Sequence, residues 1–88
     1  MHVDHFDWDD EDDERGNTRH ILSAGYDPEA IEDVIADHRG PVDKARRTGR
    51  PMIRAMTSDG ETVIIVFEIE AADDLVVVRP MTAFPGED

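Results

Sequence analysis

Two patterns of apolar spacing divide the chain. Between Asp27 and Asp37, Ala30, Ile31, Val34 and Ile35 recur at helical spacing and form one stripe. Asp27 is placed to cap this helix, Pro28 suits its first turn, and Glu29 sits at the positive end of its dipole. Gly40 and Pro41 are its expected stop. Farther on, the pattern changes to that of strands. Met52–Thr57 alternates, Thr62–Ile69 is β-branched and apolar on both faces, and Leu75–Arg79 is a third strand that Pro80 is expected to end. Ser58-Asp59-Gly60 and Ala71 to Asp74 separate these strands as turns, with Gly60 supplying positive φ. Thr62–Ile69 is expected at the centre of the sheet.

Ahead of these elements the signal is weaker. Phe6 and Trp8 share a face in an extended segment, so a short edge strand is expected within Val3 to Trp8. A first helix is expected from a cap near Asn17 through Thr18, Arg19, His20, Ile21, Leu22 and Ala24, with Gly25 as its left-handed stop. The order predicts an α+β domain: two helices packed on one face of a three- to four-stranded antiparallel sheet. The expected core is Ile21, Ile31, Val34, Ile35, Val63, Ile65, Phe67 and Val77. Residues 41–51 read as a connecting segment with room for a short strand, and residues 82–88 as a fraying tail in which Phe84 packs briefly.

Length and charge narrow the picture. A chain of 88 residues suits one domain and one core. It has no cysteine, which removes a disulfide framework and a thiolate zinc site. The longest apolar run, Val63–Phe67, is too short to cross a bilayer, and Met1-His2-Val3-Asp4 has neither a basic n-region nor an apolar h-region. A cytoplasmic protein without a membrane partner is expected. The net charge of −13 repels phosphate backbones at long range and disfavours RNA as a partner. That charge is unevenly spread. Acidic residues crowd the segment 1–14, whereas Arg39, Lys44, Arg46, Arg47, Arg50 and Arg54 fall within one stretch.

Three residues stand out as chemistry-bearing. His20 carries an imidazole, suited to proton transfer near neutral pH; the alternative is a helix-face histidine hydrogen-bonded to its surroundings. Arg79 lies in an otherwise apolar strand, where a cation needs an anionic partner, either an RNA phosphate or a carboxylate of this chain. Arg50 opens the first long strand and belongs to the basic stretch. That stretch tracks a phosphate backbone, or is a solvated loop, or docks an acidic partner, and it has no aromatic residue for base stacking. His2, Asp4 and His5 have metal-ligand chemistry. Asp7, Asp9, Glu11 and Asp13 alternate as in a calcium loop but lack the glycine at its sharp turn. No metal or cofactor is expected, and no Gly-rich phosphate loop or Ser/His/Asp arrangement is present.

Taken together in order, several segments resemble BrnT-type toxins of bacterial toxin–antitoxin pairs, within the RelE/ParE-like group of small ribonucleases. They are Phe6-Asp7-Trp8-Asp9, Asn17-Thr18-Arg19-His20, Ala24-Gly25, Asp27-Pro28-Glu29, Gly49-Arg50, Thr57-Ser58-Asp59-Gly60, Val63–Phe67 and Val76–Thr82. The resemblance implies a RelE/ParE-like fold, an antitoxin-like protein partner and metal-independent endoribonuclease activity. On it, Arg50 and Arg79 match basic positions of the family, and His20 joins them as the catalytic set. Gly60-Glu61 stands where many members have Gly-Arg, and Ala24-Gly25 where many have His-Gly. A non-catalytic protein–protein interaction module on the same fold is the second reading.

Overall fold

The apolar stretch Val63–Phe67 lies at the middle of a five-stranded sheet in the computed structural model, which describes residues 1–86. The elements run β1 (His5–Phe6), α1 (Asn17–Ser23), α2 (Pro28–Asp37), β2 (Asp43–Lys44), β3 (Pro51–Met56), β4 (Thr62–Ala72) and β5 (Leu75–Pro85). The sheet order is β1-β5-β4-β3-β2. The β2–β3, β3–β4 and β4–β5 pairs are antiparallel, but β1 lies parallel to β5. The sheet is therefore mixed and five-stranded, not the three- to four-stranded antiparallel sheet expected. β1 falls within the edge strand expected in Val3 to Trp8 and β2 within the segment given room for a short strand; the parallel pairing of β1 is the feature not expected.

Local chemistry accounts for most boundaries. Asp27 caps α2 by accepting from the Glu29 amide at 3.1 Å, with Pro28 in the first turn. The helix ends at Asp37, and its C-cap His38 turns extended before Gly40 is reached. Gly25 closes α1 at φ +94°, its amide bonding to Leu22 O and that of Tyr26 to Ile21 O, the paired bonds of a Schellman end. Gly60 has the positive φ its turn requires. The β4–β5 hairpin turns on Asp73 and Asp74, both at positive φ, in a two-residue turn whose twist matches that of the strands. Aspartate tolerates this region better than most non-glycine residues.

Pro80 does not end β5, which continues to Pro85. Between Val66 and Phe67 the register shifts, so that Val66 pairs with Thr82 and Phe67 with Pro80. Met81 is the extra residue of a bulge, the kind of site at which a sheet tolerates proline. Residues 82–85 are consequently paired strand, not a frayed tail; residues 87 and 88 lie outside those described.

Both helices cover one face of the sheet. Ile21, Ile31 and Ile35 meet Ile53, Val63, Ile65, Phe67, Val78 and Ala83 in a single core. Val34 is half-buried at its margin, and Val78 takes the place expected of Val77. Register puts Met52, Val66 and Thr82 in one row on the opposite face, with Ile64 and Phe84 in the next. No helix is long and apolar enough to cross a membrane.

Phe67 is fully buried on the central strand. Phe67→Ala should lower unfolding free energy by about 3–5 kcal/mol, read from urea denaturation. A loss below about 1 kcal/mol would mean that the core does not depend on this ring.

Candidate functional site

The acidic head is fastened to the rest of the molecule by a small polar cluster. Asn17 is buried at the first turn of α1. Its amide side chain donates to Asp7 O at 2.9 Å and Pro80 O at 2.8 Å, and its Oδ1 accepts from the Asp9 amide at 2.8 Å. Asp9 answers by accepting from the Asn17 backbone amide at 2.9 Å, filling the capping role that Gly16 has no side chain to perform. Thr18 Oγ1 donates to Asp9 O. Gly16 is required here by proximity, because a Cβ on it would lie 2.6 Å from the Asp9 Cβ. Asn17 was expected as a cap; its actual task is to bind the incoming strand and the bulge in β5.

Arg79 completes this cluster. Its guanidinium donates from Nη1 to Asp9 Oδ1 at 3.0 Å and from Nη2 to Asp9 Oδ2 at 2.7 Å, a two-point pair, with Asp7 Oδ2 at 3.4 Å. Of the two partners open to Arg79, the internal carboxylate holds its fork. The Arg79 hydrogen bonds, then the Asn17 amide, hold the Asp9 carboxyl below the usual range, and Asp9 in turn raises the pKa of Arg79. Asp4 is lowered mainly by the Val76 amide, which donates to its Oδ2 at 2.7 Å.

On the sheet face away from the helices lies a cleft of about 970 Å³. One wall is the start of α1, with Arg15 and His20; the other is the basic hairpin between β2 and β3, with Lys44, Arg46, Arg47 and Arg50. The hairpin closes through Ala45 N to Arg50 O and Gly49 N to Ala45 O, with Gly49 at φ +70°. Met52, Val66, Met81 and Phe84 supply apolar lining, and Arg79 also reaches this space. Asp43 is the one acidic residue among the lining.

His20, Arg50 and Arg79 thus line one cleft. Their states differ. Arg50 Nε donates to Glu68 Oε1 at 2.8 Å, and Arg79 is held by Asp9. His20 is exposed on α1, and its ring has no hydrogen-bond partner among the described residues. Arg15, Lys44, Arg46 and Arg47 likewise make no ion pair among the described residues. A body of net charge −13 therefore presents a concave surface on which, among the described residues, the unpaired cations outnumber the one unpaired carboxylate, Asp43. That local field attracts anions over about one Debye length, roughly 10 Å in 0.1 M salt. Phe84 was not among the expected site residues, because the tail that holds it was not read as strand. Met52 and Val66 could have been placed there only through the strand register.

The Asp9 pair sets a pH dependence. A carboxylate whose folded pKa is depressed stabilises fully above its unfolded value, about 3.9, and loses that contribution as pH falls through the folded value. Asp9→Asn should be less stable than wild type near neutral pH. The gap in urea midpoint should close as pH is lowered below about 4. A gap that is constant from neutral to acid pH would show that the charge of Asp9 contributes nothing.

Neither protein-family models, nor curated proteins, nor solved structures match this chain.

Proposed function

We propose that the domain is a BrnT-like toxin-family ribonuclease of the RelE/ParE-like kind, acting in the cytoplasm, and that the basic cleft receives an RNA backbone. The observation that carries this reading is a group of cations, Arg15, Lys44, Arg46 and Arg47, that face one space with the imidazole of His20, all without a partner among the described residues, on a protein of net charge −13. Cations bind phosphate and offset the charge that develops on it. An imidazole accepts the 2′-hydroxyl proton, and the ribose oxygen attacks the adjacent phosphorus to form a cyclic phosphate. The P–O5′ bond breaks, the 5′-oxygen leaving as a hydroxyl with a proton from water; the step balances without a metal. Arg79 and Arg50 contribute on this reading once phosphate displaces, or shares, their carboxylate partners.

Those two pairs also favour the second reading, a non-catalytic interaction module. Cations already matched by Asp9 and Glu68 stabilise the fold without any ligand. On that reading the free cations of the hairpin dock an acidic protein partner, the antitoxin-like one included.

The two readings separate in an RNA digest with chelator present, at low salt where phosphate binding is strongest. Wild type should cut, and His20→Ala should cut about 10²- to 10⁴-fold more slowly while still binding RNA. Binding without cutting by wild type would support the interaction module. Undiminished cutting by His20→Ala would show that another group accepts the proton.

A further inference from the structure

We infer that the apolar lining of the cleft is a nucleobase-stacking subsite built around Phe84, so that RNA crossing this face must present an unpaired base. The inference rests on the RNA reading above and names what the cleft does beyond holding phosphate. Met52, Val66 and Thr82 form a cross-strand row on β3, β4 and β5, and Phe84 stands in the next row on the same face. The helices pack their apolar residues against the other face. Phe84 is 42% exposed although it lies on a long paired strand, while Val66 beside it is buried.

The occupant follows from what surrounds this patch. Arg15 stands on one wall and Lys44, Arg46 and Arg47 on the other. A partner must therefore carry negative charge at its margins and a flat apolar surface between them. A single nucleic-acid strand has that design, with phosphates on a flexible backbone and a π-face on every base. Three neighbouring strands span roughly 10 Å, wide enough to seat one base. A duplex hides its base faces by stacking and offers only phosphate to the cationic walls.

The test is binding measured by fluorescence anisotropy at low salt, with three probes of equal length. They are a single-stranded RNA, the same strand made abasic, and an RNA duplex. The expected order is single-stranded RNA tightest. Phe84→Ala should weaken the base-bearing strand at least about fivefold and leave the abasic strand unchanged. Phe84→Tyr, which keeps the ring, should bind as wild type. Equal binding of the base-bearing strand by wild type and Phe84→Ala would overturn the subsite and leave the RNA reading standing. Failure of all three probes to bind wild type would overturn both. Because Phe84 is substantially exposed, truncation should spare the fold, and an unchanged urea midpoint verifies it.

Discussion

The two-point contact between Arg79 and Asp9 is the constraint on which the arrangement of this molecule depends. Segments separated by most of the chain meet there. It joins the acidic head to β5, and through the Asn17 amide it joins both to the first turn of α1. The parallel edge strand β1 is held besides by backbone bonds to Val76 and Val78 and by Phe6 packing against the core. Trp8 extends the same attachment toward the other helix, its indole N–H donating to Glu32 Oε2 at 2.7 Å. Part-buried cations and carboxylates are costly unless their hydrogen bonds are filled, and here Asn17 Nδ2, Asp9 Oδ2 and Arg79 Nη1 each take part in two. No buried side-chain nitrogen or oxygen lacks a partner among the described residues.

The same clasp organises the charge. The carboxylates Asp7, Asp9 and Glu68 are engaged by Arg79 and Arg50, which limits their repulsion of an incoming anion and leaves Asp43 as the acidic residue of the lining. The cations farther out, Lys44, Arg46 and Arg47 of the hairpin and Arg15, have no ion-pair partner among the described residues. Net charge therefore describes the far field of this protein poorly at close range. A sum of −13 disfavours approach from a distance, whereas the surface met at contact is basic.

How much of this could be read from residues alone differs by element. The α2 helix was legible because its cap, its first-turn proline and its apolar stripe all point the same way. Strand β4 was legible from an unbroken β-branched run. Strand β5 was legible only to Pro80, since a proline ordinarily stops pairing and a bulge one residue later leaves no local mark. The four apolar residues Leu75–Val78 carry no alternation, so the choice between Val77 and Val78 for the core lacked a phase. The register supplies it: Arg79 opens onto the cleft, its facemate Val77 is on that side, and Val78 faces the helices. His20, Arg50 and Arg79 were identifiable as chemistry-bearing side chains, and the structure brings them to one cleft. Their carboxylate partners were not, because an acid-rich sequence offers too many equivalent choices. Phe84 was read only as a brief contact of a fraying tail, for the same reason as the end of β5.

Gly16 carries a consequence for the history of such chains. Its φ of −76° is open to any residue, so backbone preference places no demand on the position. The demand comes from Asp9, pressed against it from seven residues upstream. An aspartate, a glycine followed by asparagine, and a distant arginine-proline pair are thus joined in a single packed unit. A lineage that enlarges the glycine must first release the aspartate, and releasing the aspartate strands the arginine. Divergent descendants are therefore expected to keep or lose these positions together. Such joint inheritance would mark kinship after overall similarity has faded.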